Sequence, residues 1–134
     1  MNLTDRVRAA KRIFIIGNGG SWANSVHIAN DLIACGIRAH TLDPATLTAT
    51  ANDFGYEFVF SKWLITMGEP GDLLIALSGS GKSKNILNAI EAAQVIGMDV
   101  ERVFGAEQGL DMQASEEQQI HLGHQIMREL KGMK

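Results

Sequence analysis

The 134-residue chain contains a single cysteine, Cys35. One thiol cannot close an intrachain disulfide, which places the expected home of the chain in a reducing compartment, the cytoplasm. No apolar stretch is long enough to cross a membrane. The opening residues, MNLTDRVRAAKR, are too polar for a signal peptide. No long basic run is present and the formal charge is −3, so nucleic acid is not the expected partner. Low-complexity tracts and linker-like stretches are also missing, and residues 1–134 read as a single domain. Two nucleotide fingerprints fail as well. GNGGS at 17–21 lacks the G-x-G-x-x-G spacing, and GSGKS at 79–83 would need glycine at position 76, where Ala76 stands.

The stretch that organises the rest is IFIIGNGGSWANSVHIAND, residues 13–31. An apolar run stops at a glycine-rich turn, and a helical pattern follows. That is how a buried parallel strand delivers a ligand to a helix N-terminus. Glycines let backbone N–H groups approach an anion, and the helix dipole favours negative charge. A related unit follows at Leu73–Leu77, with the turn Ser78-Gly79-Ser80-Gly81-Lys82-Ser83 and another helical pattern. Two such turns suggest one anionic ligand held between loops.

In order, the pattern predicts a brief helix over 2–12 with Thr4 as a cap, a strand at Ile13–Ile16, and a helix over Ser21–Ala34. That helix should turn Val26, Ile28, Ala29, Leu32 and Ile33 inward and end at Gly36. A weak strand over Ile37–Leu42 comes next. Asp43-Pro44 opens a short helix over 45–51 that Asn52–Gly55 interrupts, and a helix resumes over Tyr56–Met67. Leu73–Leu77 is the central strand, followed by a helix over Ser83–Ile96 that buries Ile86, Leu87, Ala89, Ile90 and Ala93. Met98–Phe104 reads as another strand near an edge, and Ala114–Lys131 as a last helix with a frayed tail. This βαβ rhythm gives a three-layer α-β-α sandwich with a mainly parallel sheet of four or five strands, of the flavodoxin or Rossmann type. Ligands in such sheets sit at the carboxyl ends of the strands, where both glycine-rich turns fall.

GNGGS, then His27-x-x-x-Asp31, then ANDFG at 51–55, then LSGSGKSKNILNAIEAA at 77–93, then His121-x-x-His124 together resemble the sugar isomerase (SIS) domain. Within that family the resemblance is strongest to the bacterial phosphoheptose isomerases. It spans roughly residues 12–131, and it is the order of the motifs, more than any one of them, that makes it specific.

The resemblance implies interconversion of a ketose phosphate and an aldose phosphate, with sedoheptulose 7-phosphate to D-glycero-D-manno-heptose 7-phosphate as the best single reaction. A phosphosugar-binding module without turnover, acting as sensor or subunit, is the alternative. The serine-rich loop of the family surrounds the phosphate and matches Ser78, Ser80 and Ser83. Asn18, Gly19, Gly20 and Ser21 match the sugar end, and Asp53 matches an aspartate near the substrate. Hydroxyls, turn amides and a helix N-terminus can solvate a phosphate without a basic patch. The ordinary reading of the serines is turn formation and capping, and both readings can hold together. The family's helical glutamate falls on Asp31 and its last-helix histidine on His124, which assigns the proton transfers to these two. Aldose–ketose isomerisation needs such a pair. In some members a histidine matching His27 joins them around zinc, giving the metal set His27, Asp31, Glu116 and His124. No cofactor is otherwise required. An ordinary i,i+4 surface contact is the competing reading of His27 and Asp31. The family form implies a homo-oligomer, a tetramer or, with a short N-terminal segment, a dimer.

Three departures stand out. Asp31 is one methylene shorter than glutamate. Twelve residues precede Ile13, where the family has a long helical segment. The stretch from Phe104 to Glu116 is too short for a further strand.

Overall fold

The computed structural model describes residues 1–132. Four apolar stretches become strands: β1 (Ile13–Ile16), β2 (Ala39–His40), β3 (Leu73–Ser78) and β4 (Asp99–Phe104). All pair in parallel, in the order β2-β1-β3-β4. Every residue of β1 and β3 is buried, as central parallel strands covered on both faces must be. Their side chains alternate between two layers. Phe14, Ile16, Leu74 and Ala76 pack with α3 (Pro44–Phe54), α4 (Val59–Met67) and α5 (Lys84–Ile96). Ile13, Ile15, Leu73, Ile75 and Leu77 pack with α1 (Leu3–Ala9), α2 (Gly20–Ala34) and α6 (Met112–Leu130). The result is the expected three-layer α/β sandwich, with a sheet of four strands.

Several local expectations change. The cap of α1 is Asn2, whose side chain accepts from the Asp5 N–H. Thr4 is buried instead, and its hydroxyl donates to Glu129 of α6. The second strand shrinks to two residues, because its polar neighbours suit an edge and not a ladder. Asp43 and Pro44 open α3 as expected, but the helix runs through Asn52 and Asp53 and ends only at Gly55, with φ +111°. Short-range hydrogen bonding by Asn and Asp therefore did not break it. Val26, Ile33 and Leu87 point outward, since each helix buries only a stripe. Asp111 caps α6 through the Ala114 N–H and starts it at Met112, before Ala114. The tail expected to fray includes residues 133–134, which lie outside the described residues. Among the described residues no helix is long and apolar enough to cross a membrane.

Two contacts hold the outer helices in register. Gly123 of α6 presses on α2, where a Cβ would fall 2.6 Å from Ile28 Cγ1. At the free edge of β4, Arg6 of α1 donates to both carboxylate oxygens of Asp99 at 2.8 and 3.0 Å, to Glu101, and to the Val100 carbonyl. A charged, occupied edge is one that does not recruit further strands. The Arg6 hydrogen bond holds the Asp99 carboxyl below its ordinary value of 3.8. A carboxyl depressed on folding adds stability above its unfolded value, and that stability is lost as pH falls through the folded value. Asp99→Asn is therefore expected to cost up to about 1 kcal/mol in urea unfolding at neutral pH, a small value because the pair is partly exposed. The difference from the parent should shrink as pH drops below about 4.

Candidate functional site

β1 and β3 are adjacent, yet their chains leave in opposite directions. β1 passes through α2 to β2 on one side, and β3 passes through α5 to β4 on the other. The strand order reverses between them, which opens a crevice at their carboxyl ends. Both glycine-rich turns lie there. In the first, a Cβ on Gly17 would lie 2.7 Å from the Ser21 backbone, so the turn closes only with glycine. In the second, Gly81 has φ +68°; its N–H donates to Ser78 Oγ at 2.9 Å, and the Lys82 N–H donates to Ser80 Oγ at 3.1 Å. These hydroxyls shape the loop and keep their own protons to donate.

The helix starts differ in how they are closed: α2, α4 and α5 lack a side-chain cap, while α6, which has one, also reaches this crevice through Met112. Asn2, Asp43 and Asp111 close α1, α3 and α6 with side-chain caps. α2 and α5 have no side-chain cap and no acidic residue in the first turn. Ser83 caps α5 with its carbonyl alone, accepting from Ile86 and Leu87, and its hydroxyl is not used for capping. Two helix N-termini thus keep backbone donors and positive dipole ends toward one place. Between them is a cavity of about 70 Å³ lined by Asn18, Ser21, Ser78, Ser80, Ser83 and Met112, together with Leu77 and Gly79. Five of the residues expected to bind substrate or phosphate meet there. Gly19 and Gly20 belong to the adjoining turn, and Gly19, with φ +58°, borders a second cavity beside Trp22 and Tyr56. Asp53 lies elsewhere: it is exposed on α3, where it accepts from the Asn52 side chain at 3.0 Å.

A second cluster sits where α2 meets α6. His27 and Asp31 are one turn apart on α2, and the close approach at Gly123 brings His124 to them. His27 Nε2 is 3.2 Å from His124 Nε2 and 3.2 Å from Asp31 Oδ2, and His124 Nε2 is 3.8 Å from the same oxygen. That oxygen is buried and has no partner in hydrogen-bond geometry. An orphaned carboxylate oxygen facing two imidazole nitrogens invites a proton or a cation. Ligands about 2.0–2.1 Å from a tetrahedral ion lie roughly 3.3 Å apart, so the spacing fits a metal with one open position. The cluster can therefore coordinate a metal ion. Glu116 is not gathered into it; its carboxylate lies over Gly20, leaving no room there for a Cβ.

Four polar residues outside the expected set complete the site. Gln119 is fully buried and donates to Ser21 Oγ at 3.0 Å. Asn24 donates to Gln119 Oε1 at 2.8 Å and to the Glu116 carbonyl at 3.0 Å. Asn85 and Asn18 exchange two side-chain hydrogen bonds of 2.9 Å, and Tyr56 donates to Asn18 Oδ1 at 2.6 Å. One signal was available for Gln119: it sits between Ser115 and Gly123 at i,i+4 spacing, a small and polar stripe that turns out to be the buried face of α6. Asn85 carried no comparable sign.

The comparisons with known proteins agree with this geometry. A family model for the SIS domain matches residues 1–103. The phosphoheptose isomerase of Akkermansia muciniphila is 46% identical over 103 residues, covering 71% of this chain and 54% of its own length. That of Klebsiella pneumoniae is 36% identical over 129 residues, covering 91% of this chain and 66% of its own. The solved phosphoheptose isomerase of Neisseria gonorrhoeae superposes with a TM-score of 0.88 at 27% identity, over 98% of this chain and 82% of that one. The chain spans roughly half to two thirds of the length of these curated relatives. A parallel sheet with hydroxyl-lined turns at its switch point, matched along most of the chain by the family model, makes this chain a member of the SIS-domain family.

Proposed function

We propose that the chain is a phosphosugar isomerase that interconverts a ketose phosphate and an aldose phosphate in the cytoplasm, with sedoheptulose 7-phosphate as substrate and D-glycero-D-manno-heptose 7-phosphate as product. The observation that carries this reading is the serine-lined cavity between two uncapped helix N-termini. Such a place suits a dianionic phosphate without needing a lysine. The relatives named above are phosphoheptose isomerases, which supports the substrate class.

α2 ties the two ends of the ligand together. Ser21 at its first turn lines the cavity, and Asp31 lies ten residues on, roughly 15 Å along the axis. Side chains lean back toward the helix N-terminus, which shortens that gap. A long-chain sugar phosphate suits it better than a triose. Asp31 then takes the proton from C1, and the enediol is reprotonated at C2. His124 moves the proton between the C1 and C2 oxygens, a role open to an imidazole, whose ring nitrogens can both donate and accept. When bound, a zinc ion would act as a Lewis acid on the sugar carbonyl; His27, Asp31 and His124 would hold it, and His124 would then be a ligand first and not the proton shuttle. Asp53 is assigned to the substrate only through the resemblance, since it lies away from the cavity.

The chain is further read as a homo-oligomer, a tetramer or a dimer. His27 and His124 are 49% and 40% exposed at the side chain, so the cluster is open on one side. An apolar groove of about 780 Å³, lined by Phe54, Phe58, Ile65 and Val95 among others, also lacks a cover.

Three outcomes test this reading. Ser80→Ala combined with Ser83→Ala should weaken sedoheptulose 7-phosphate binding by about 1.5–3 kcal/mol per lost charge-assisted bond, read by titration calorimetry. Unchanged affinity places the phosphate elsewhere. Asp31→Asn should abolish isomerisation while affinity stays within about tenfold, and Asp31→Glu should raise turnover, because a base misplaced by about 1 Å loses roughly a hundredfold. Binding without turnover in the parent chain favours the sensor or subunit. Elemental analysis of protein purified without added metal should find zinc at up to one ion per chain, reduced by His27→Ala. A metal-free protein whose turnover ignores added zinc leaves Asp31 and His124 as acid and base alone.

A further inference from the structure

We infer that Asn85 and Tyr56 are positioning residues that lock the Asn18 carboxamide so that it offers an N–H, and not its carbonyl oxygen, to the serine-lined cavity; the inference rests on the reading of that cavity as the phosphate end of the site.

It follows from counting valences. A carboxamide oxygen has two lone pairs and its nitrogen two protons. Asn18 Oδ1 accepts from Tyr56 Oη at 2.6 Å and from Asn85 Nδ2 at 2.9 Å, which fills it. Asn18 Nδ2 gives one proton to Asn85 Oδ1 at 2.9 Å. One N–H of Asn18 is left, on a residue that lines the cavity with Ser21, Ser78, Ser80 and Ser83. The group that Asn18 presents is thus a donor, matched to a phosphate or sugar oxygen and not to an ammonium.

The lock spans distant parts of the chain. Asn85 lies 67 residues from Asn18 and Tyr56 lies 38 residues from it. Asn85 sits in the first turn of α5, is 3% exposed, and is directly connected to the serine turn. Tyr56 belongs to the short 3-10 turn Tyr56–Phe58 that leads into α4. These bonds tie the glycine turn after β1 to the start of α5, which follows the serine turn after β3. A ligand oxygen bridging Asn18 and the serines then meets donors that are already aligned, which lowers the ordering cost of binding.

The test has a ligand-free arm and a ligand arm, both on the full chain. In the 15N-labelled protein, the Asn18 side-chain amide should show one hydrogen-bonded proton downfield and one near its free position. Adding inorganic phosphate should move the second proton much more than the first. Two bonded protons, two free protons, or equal movement of both overturn the lock, whatever the turnover. In the ligand arm, Asn85→Leu removes both bonds that Asn85 makes to the Asn18 amide, at similar volume, and adds no charge beside the cavity. Sedoheptulose 7-phosphate affinity should fall about tenfold, with KM rising and kcat holding within about threefold. Adding Asn85→Leu to Asn18→Ala should cost nothing further, because contacting residues acting as one unit are not additive. Additive losses, or a fall in kcat with KM unchanged, would make Asn85 merely structural. Tyr56→Phe, at an exposed residue, serves if Asn85→Leu does not fold; it should raise KM by a few fold, and an unchanged KM counts against the lock. A parent chain without turnover whose Asn18 signals behave as stated refutes the isomerase reading and leaves the lock standing.

Discussion

The parallel pairing of β1 with β3 is the constraint on which the rest depends. Ile13–Ile16 against Leu73–Ala76 puts two fully buried strands in register at the centre of the sheet. Burial on both faces requires helices on both faces, so the two chains must leave in opposite directions. Their turns then lie side by side at the carboxyl ends. Everything polar at that end follows: two helix N-termini point into one crevice, and both lack the side-chain caps found on α1, α3 and α6. No side chain caps either end, so backbone donors remain for a ligand, and the Glu116 carboxylate lies over Gly20 at the start of α2 without capping it.

The second cluster depends on a different economy, the small residue at Gly123. Its contact with Ile28 lets α6 lie close to α2. Only then can His124 reach His27 and Asp31, which already share one face of α2. Gln119, one turn before Gly123, uses the same closeness to donate to Ser21 inside the core. Buried polar groups of this kind are costly unless paired, and Gln119 is paired at both ends of its amide. α6 therefore connects the serine-lined cavity to the histidine cluster through fixed bonds.

Much of this was legible in the sequence and some was not, for physical reasons. LLIAL, short, apolar at every position and bounded by turn residues, read as a central parallel strand, and Asp43-Pro44 marked its helix start without help from any distant residue. The serines of the second turn declared themselves by repetition beside glycine. Asp31 and His27 were visible as an i,i+4 pair. That His124 joins them needed the resemblance, since 97 residues separate it from His27. Asn85 was not legible as a site residue, and Gln119 only through the small, polar stripe it shares with Ser115 and Gly123; the partner of each is 67 or 98 residues away. Thr4 misled in the opposite sense: a residue suited to capping went to Glu129, because Asn2 already held the Asp5 N–H. Local propensity sets which residues can cap, and tertiary contact decides which one does.

The central claim is that the serine-lined cavity and the Asp31–His124 pair act on one sugar phosphate. Its most direct test is isomerisation of sedoheptulose 7-phosphate by the parent chain in deuterium oxide, followed by NMR. Removal of a C1 proton by a carboxylate, exchange of that proton with solvent and delivery of a deuteron to C1 or C2 should place solvent deuterium in the recovered ketose or the aldose product, at a rate that inorganic phosphate slows by competing for the cavity. Tight binding of the sugar phosphate with no aldose formed and no deuterium at C1 or C2 would contradict the claim.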